Sequence, residues 1–331
     1  MKQRFTYIVA VLATLATSGL RAQDMHFSQF YMTPLTQNPA LTGFFDGNYR
    51  ISGIARSQWK SVTTPYRTIG GAMDWNLRSG FNRADMFGLG LNVMSDRAGD
   101  SQFTTTRVDA STAYSKSLDN FNRAYLSTGI QASYTSAYID YTQLTFDENF
   151  ENGMTTENFA FTTARYADVS AGMQYTYIFN KTENFTVGGA AFHLNKPKMT
   201  FMNDGSSVVY RKYVLNAGAT VSTGRSTKLF PKINYSRQGP NSELNFGAFA
   251  WFDLASSKDI GTYFGLLHRW NDAVIFVTRF DVQDVAMTFS YDVNYSKLSR
   301  VSHGLGGPEL SVQYIGKFKR KNNKKVFCPA F

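Results

Sequence analysis

The 331 residues hold 15% aromatics (28 Phe, 19 Tyr), 26 Gly, only 8 Pro and 18% charged side chains, a mixture that favours strands over helices. A lone Cys328 excludes an intramolecular disulfide framework, and a mean hydropathy of −0.28 leaves a membrane barrel open, because such a barrel turns only every second strand residue to lipid. The formal charge of +10 is uneven, with six basic and no acidic residues in Lys317–Lys325.

The first residues, "MKQRFTYIVAVLATLATSGLRAQ", give basic Lys2 and Arg4, an apolar run from Phe5 to Ala16 and small residues before Ala22. This is the pattern of a secretory signal peptide over 1–22. The run is too short and interrupted to span a bilayer as a helix. An exported chain is expected, and losing Lys2, Arg4 and Arg21 lowers its charge from +10 to +7. Nucleic acid is then not an expected partner, despite the basic run.

Residues 23–47 precede every strand-like window. Pro34 and Pro39 forbid regular strand and push Thr33 and Asn38 toward extended backbone, while Asn38-Pro39 and Gly43 are turn formers. Phe27, Phe30, Tyr31, Phe44 and Phe45 argue against free exposure. The segment is expected to fold into a barrel lumen as a plug or to run along the periplasmic rim. Within it, His26 and Ser28 are the nearest thing to a base and nucleophile, but no third group orients the His, so catalysis is not expected. The four histidines, His26, His193, His268 and His303, have no metal-ligand spacing, and there is no Walker loop or GxSxG elbow. No cofactor and no metal is expected. The glycines of "GLGLN" at Gly88–Asn92 lie in an alternating strand, where they permit bending or close packing.

Strand-like windows then fall near 48–59, 64–78, 86–96, 105–116, 123–139, 165–179, 184–194, 210–222, 227–236, 243–254, 259–269, 273–281, 285–293 and 309–318. Fourteen such windows predict an all-β, up-and-down transmembrane β-barrel of 14 antiparallel strands over 48–318. In "DVAMTFSYDV", Val285, Met287, Phe289, Tyr291 and Val293 form the row expected to face lipid, and Ala286, Thr288, Ser290 and Asp292 the row expected to face a wet lumen. Arg at Phe289 should then cost about 2–4 kcal/mol, and Arg at Thr288 far less. Val169–Phe179 and Leu310–Tyr314 repeat the alternation. Connections after even-numbered strands read as short and those at 140–164, 195–209 and 294–308 as long, the parity of periplasmic turns and outer loops.

Asp147, Glu148 and Glu151 sit in the longest gap, which holds no Lys or Arg and is a candidate partner-binding loop. An even strand count is expected to return the chain to the side where the mature N-terminus began. Residues 319–331 would then form a basic periplasmic tail, in which Lys319, Arg320 and Lys321 attract an acidic protein face and Phe327, Cys328, Pro329 and Phe331 supply the anchoring end. The competing readings of that tail are an assembly signal and a solvated end.

The opening of the mature chain, "HFSQFYMTPLTQNPALTGF", resembles the start of the PorP/SprF family of the type IX secretion system. "WKSV" at Trp59–Val62, "PYRTIGGAMDW" at Pro65–Trp75 and the closing "CPAF" at Cys328–Phe331 are also similar to that family. The resemblance implies a non-enzymatic, multi-pass barrel of the bacterial outer membrane, in contact with its lipid. It implies service in export or surface attachment of a gliding adhesin through that cargo's C-terminal sorting domain, and links to periplasmic ring or peptidoglycan-binding components. His26, Phe27, Ser28, Gln29, Phe30, Asn38, Pro39 and Gly43 are the candidate partner-binding residues of the opening motif. A simple outer-membrane diffusion porin is the alternative.

Overall fold

The period-two alternation becomes fourteen strands: β1 (Tyr49–Gln58), β2 (Tyr66–Arg78), β3 (Met86–Ala98), β4 (Phe103–Ser117), β5 (Ala124–Tyr138), β6 (Thr163–Asn180), β7 (Glu183–Phe192), β8 (Lys212–Ser222), β9 (Thr227–Gln238), β10 (Asn241–Ala255), β11 (Ile260–Arg269), β12 (Ala273–Val282), β13 (Val285–Asn294) and β14 (Leu305–Gly316). Each pairs antiparallel with its sequence neighbours, and β14 pairs back onto β1, closing a barrel with no free edge. The computed structural model describes residues 24–58, 64–78, 84–99, 102–140, 162–180, 182–201, 207–224, 226–255, 260–296, 299 and 304–318. No helix among them is long and apolar enough to cross a membrane; the crossing is made by strands.

The two faces of β13 separate as the alternation predicts. Met287, Phe289 and Val293 are exposed on the outside, while Ala286, Thr288, Ser290 and Asp292 are buried inside. Val169, Met173 and Phe179 of β6 and Leu310, Val312 and Tyr314 of β14 also lie outside. Exposed aromatics gather near both ends of the barrel, with Trp270 and Tyr295 at one and Phe121 and Phe318 at the other, in the manner of interfacial girdles flanking an apolar band.

One end, here the turn end, carries the connections after even-numbered strands, the entry into β1 and the exit from β14. At this end β12 and β13 are joined by Gln283-Asp284 alone, with Gln283 at φ 55°. The loop end carries the connections 139–162, 193–211 and 295–304. It also has tight connections, Gly239-Pro240 between β9 and β10 and 270–272 between β11 and β12, so the parity of lengths is partial.

Two expectations need correction. The inner row does not meet a wet lumen: Thr288 is fully buried and its hydroxyl lies 3.8 Å from the Met32 sulfur, so Arg there has no water to reach. The first described residue, Asp24, lies at the loop end beside His193, Lys212 and Gln238. The even strand count returns the chain to where β1 begins, which is the opposite end.

Candidate functional site

What fills the lumen is the chain's own segment 24–45, which runs from the loop end to the turn end before entering β1. Its local shape follows from its prolines. Pro34 and Pro39 each stand in the first turn of a short helical piece, Pro34–Gln37 and Pro39–Leu41, where a missing N–H costs nothing. Asn38 between them is extended, as a residue before proline should be, and its Oδ1 accepts from Ala40 N–H at 3.0 Å. A third short turn, Phe30–Met32, precedes them.

Four polar fastenings hold this segment to inward side chains of the wall. At the loop end, Asp24 N–H donates to Gln238 Oε1 at 2.9 Å, and Asp24 Oδ2 meets His193 Nε2 at 2.9 Å. The other ring nitrogen, His193 Nδ1, is 2.9 Å from Asp168 Oδ2. Burial works to discharge His193, the first residue after β7, but the two carboxylates outweigh it and hold its pKa up at about 9. Arg107 and Lys212 stand 3.7 and 3.8 Å from Asp24 and complete the charge balance.

The second fastening reads Ser28 and Gln29. Both backbone N–H groups donate to the Glu309 carboxylate, at 2.8 and 2.9 Å. Ser28 Oγ donates to Asp292 Oδ2 at 2.7 Å and also receives Arg269. Gln29 Nε2 donates to Ser290 Oγ at 2.9 Å, and Gln29 Oε1 accepts from Ser311 Oγ at 2.6 Å. Around them Arg56 pairs with Glu309 at 3.1 Å and Asp292 at 3.3 Å, and Arg269 with Asp292 at 2.8 Å. All four charged side chains are buried, so two cations face two anions away from water, which is how such a cluster avoids an uncompensated charge. Arg56 Nη1 further donates to the His26 carbonyl at 2.8 Å.

Deeper in, Asn38 Nδ2 donates to the Met173 carbonyl at 2.9 Å, and Thr42 Oγ1 to Ser111 Oγ at 2.9 Å. At the turn end Gly43, at φ +70°, donates its N–H to Asp74 Oδ2 at 2.8 Å, and Asp74 is clasped by Arg50 at 2.7 and 2.9 Å. The wall admits this backbone because it carries glycine where contact is closest. A Cβ on Gly88 would collide with the Thr42 carbonyl, and one on Gly129 with the Pro39 carbonyl.

Apolar contacts fill the rest. Phe30 enters a cluster with Phe230, Phe249, Leu267, Ile275 and Val277, edged by Tyr31, Trp251 and Tyr263. Phe27 packs with Ile54 and Met94, and Phe44 with Met86, Tyr125 and Ile178. Each fully buried aromatic contributes about 1.5–3 kcal/mol of transfer free energy.

Of the candidate residues, His26 through Gly43 come together in the lumen; Asp147, Glu148, Glu151, Lys319, Arg320, Lys321, Phe327, Cys328, Pro329 and Phe331 lie outside the described residues. His26 and Ser28 do not act on each other in this arrangement: His26 Nε2 turns to Glu243 at 3.2 Å, and Ser28 to Asp292 and Arg269. Sequence reasoning missed the wall partners Arg56, Asp74, Asp168, His193, Arg269 and Glu309. Their one legible signal was a charge on the inward row of an alternating strand, as at Asp292.

Among solved structures the barrel is similar to the monoaromatic hydrocarbon channel CymD, at TM-score 0.51 and 9% identity over 87% of this chain and 93% of that one. It is similar to a Pseudomonas aeruginosa FadL homologue at TM-score 0.51 and 8% identity, over 86% and 94%. The P. putida toluene transporter TodX gives TM-score 0.50 and 11% identity, over 86% and 93%. At these identities the likeness is one of fold. No curated protein matches the chain. The family described as "Type IX secretion system membrane protein PorP/SprF" matches over residues 20–314. With that match spanning all fourteen strands but the last two residues of β14 and the whole lumenal segment, the chain belongs to the PorP/SprF family and is an outer-membrane β-barrel of a secretion class, not of an enzyme class.

Proposed function

We propose that this barrel serves the export or surface attachment of a cargo adhesin in the type IX secretion and gliding machinery, by engaging the cargo's C-terminal sorting domain. The observation that carries the reading is the family match over residues 20–314. The filled lumen supports it against the diffusion porin, since segment 24–45 is fastened at both ends of the bore and keeps Phe27, Phe30, Phe44 and Phe45 buried. In this reading the loop end faces outward and the turn end faces the periplasm, where β14 delivers the basic tail toward ring or peptidoglycan-binding components. The acidic stretch with Asp147, Glu148 and Glu151 and the tail residues Lys319–Lys321 and Phe327–Phe331 are the proposed partner contacts. The motif residues His26–Phe30, Asn38, Pro39 and Gly43 bind the wall at rest, so a partner meets them only after the segment has moved.

Removing Phe327–Phe331 from the full chain tests this. Normal barrel insertion with lost adhesin display and lost co-purification of periplasmic partners is expected. Unchanged display would overturn the proposed tail role, and failed insertion would make the tail an assembly signal. In planar bilayers the intact protein is expected to be silent; a steady open pore would favour the porin.

A further inference from the structure

In a hydrocarbon surround every strand N–H and C=O needs a partner on the neighbouring strand. One seam of this barrel departs from that rule. β8 and β9 pair from Lys212↔Gln238 through Gly218↔Lys232 and again at Val221↔Leu229 and Ser222↔Lys228, but Ala219 and Thr220 have no partners in Phe230 and Pro231. The register is the same on both sides of the break, so no residue has been inserted. The same four residues keep their pairing on the far side: Ala219 and Thr220 with β7, Phe230 and Pro231 with β10. The break coincides with Pro231, which has no N–H to donate and is rare away from strand edges.

Its position is unusual in two further ways. The other proline within a strand, Pro308, lies one residue beyond the last β1–β14 pair, Arg56↔Glu309, and next to a bulge in β13–β14, where its missing N–H interrupts nothing. Pro231 instead lies in the apolar belt, flanked on the outside by Leu229 and Ile233 of its own strand and by Val221 of β8, all exposed. Directly behind it Phe230 turns inward into the cluster of Phe249, Leu267, Ile275 and Val277, in which Phe30 of the lumenal segment is seated. Around Ser28 and Gln29 the wall is lined by Ser, Asp, Glu and Arg; here the buried residues are aromatic and aliphatic, and Lys228, Lys232 and Arg279 cap the rim rings of Trp251, Tyr31 and Tyr263. An apolar lumenal pocket, a weakened seam and the apolar belt therefore lie in one line.

The geometry points to the β8–β9 seam as a lateral portal through which the acyl chain of a membrane lipid reaches the apolar pocket that Phe30 occupies. In the present conformation the portal is shut: a Cβ on Gly218 would meet the Pro231 carbonyl at 3.4 Å. Parting the two strands at this point breaks fewer hydrogen bonds than at a fully paired seam, and Phe30 is the cork on the lumenal side. An acyl chain fits both surroundings, since it leaves lipid and takes the place of the Phe30 ring among aliphatic and aromatic side chains, with the cations confined to the rim.

The test uses the full chain in dioleoylphosphatidylcholine vesicles with a photo-crosslinking benzoylphenylalanine at position 230, at Ile233 as the lipid-facing reference, or at Tyr125, buried in the separate Phe44 cluster, as the lumenal reference. Lipid adducts at 230 are expected to approach those at 233 and to exceed those at 125 several-fold. They should fall about tenfold with Pro231→Val, which restores the N–H, and rise with Phe30→Ala. A second measurement leaves Phe230 intact: with Trp59, Trp75 and Trp270 replaced by Phe, acyl-brominated lipids should quench Trp251, and Pro231→Val should remove the quenching. Adducts at 230 no higher than at 125, or adducts and quenching indifferent to Pro231→Val, would overturn the portal.

Discussion

Replacing Glu309 by Gln should release the lumenal segment without opening the barrel. The carboxylate accepts the N–H groups of Ser28 and Gln29 at 2.8 and 2.9 Å and pairs with Arg56 at 3.1 Å. An amide keeps one acceptor oxygen and turns an NH2 group toward the other donors, so one buried N–H loses its partner, at a cost of about 1–3 kcal/mol. Arg56 would also be left to share Asp292 with Arg269, and an uncompensated buried charge costs about 3–5 kcal/mol. These effects overlap, which puts the expected loss at about 3–5 kcal/mol, or about two to three and a half orders of magnitude in the population of unseated segment. Hydrogen exchange in the detergent-solubilised barrel reads this directly: amides of residues 24–45 should exchange about 100–4,000 times faster, while those of β3 to β12 keep their protection. The double variant Arg56→Met with Glu309→Met, which removes both charges, should restore part of the loss. Unchanged exchange at Ser28 and Gln29 would refute the assignment of this cluster to holding the segment, and uniform acceleration across the strands would show that it holds the barrel instead.

Three more outcomes follow from the same geometry. Gly88→Ala, which drives a Cβ into the Thr42 carbonyl, should destabilise the seated segment by about 1–3 kcal/mol and raise thiol labelling of a cysteine placed at Leu41, in a Cys328→Ser background. Phe289→Arg should lower bilayer-refolding stability by about 2–4 kcal/mol, and Thr288→Arg, pressed against Met32, should be no milder; a harmless Thr288→Arg would restore the wet-lumen picture. The His193 fastening, with a folded pKa of about 9 against an ordinary 6.5, contributes fully below pH 6.5 and is lost as pH rises through 9. Exchange at residues 24–27 should therefore quicken between pH 7 and 10 beyond the intrinsic rate, and His193→Gln should abolish the excess.

The barrel was legible because a strand half in lipid writes its environment into every second residue. Val285–Val293 shows this cleanly, and the predicted window 285–293 differs from β13 by one residue. Where the signal failed, the cause was local chemistry. The last window, 309–318, starts after Gly306, Gly307 and Pro308, yet β14 begins at Leu305 and absorbs these three residues, of poor strand propensity, beside a bulge at Tyr291 and Val293. The lumenal site was half legible. The aromatics of 27–45 announced burial, but not the surface that buries them. The pairing of Arg56 with Glu309 joins strands at opposite ends of the sequence and exists only because the barrel closes. No local pattern carries that information.

The direction in which segment 24–45 runs constrains how the molecule is made. Its first described residue, Asp24, lies at the far mouth from its junction with β1. A closed bore already packed to van der Waals contact offers no path for threading such a segment afterwards, and the seam that would have to stay open is β1 with β14. The last strands, β13 and β14, present Asp292 and Glu309 to Ser28 and Gln29, and Arg56 of β1 bridges them. Because segment 24–45 is synthesised before any strand, it can serve as the mandrel around which the sheet is wound, with the final hairpin closing on residues already in place. Assembly order is thus written in the path of the chain, and a bulky domain fused ahead of Asp24 should stall the barrel at its last seam.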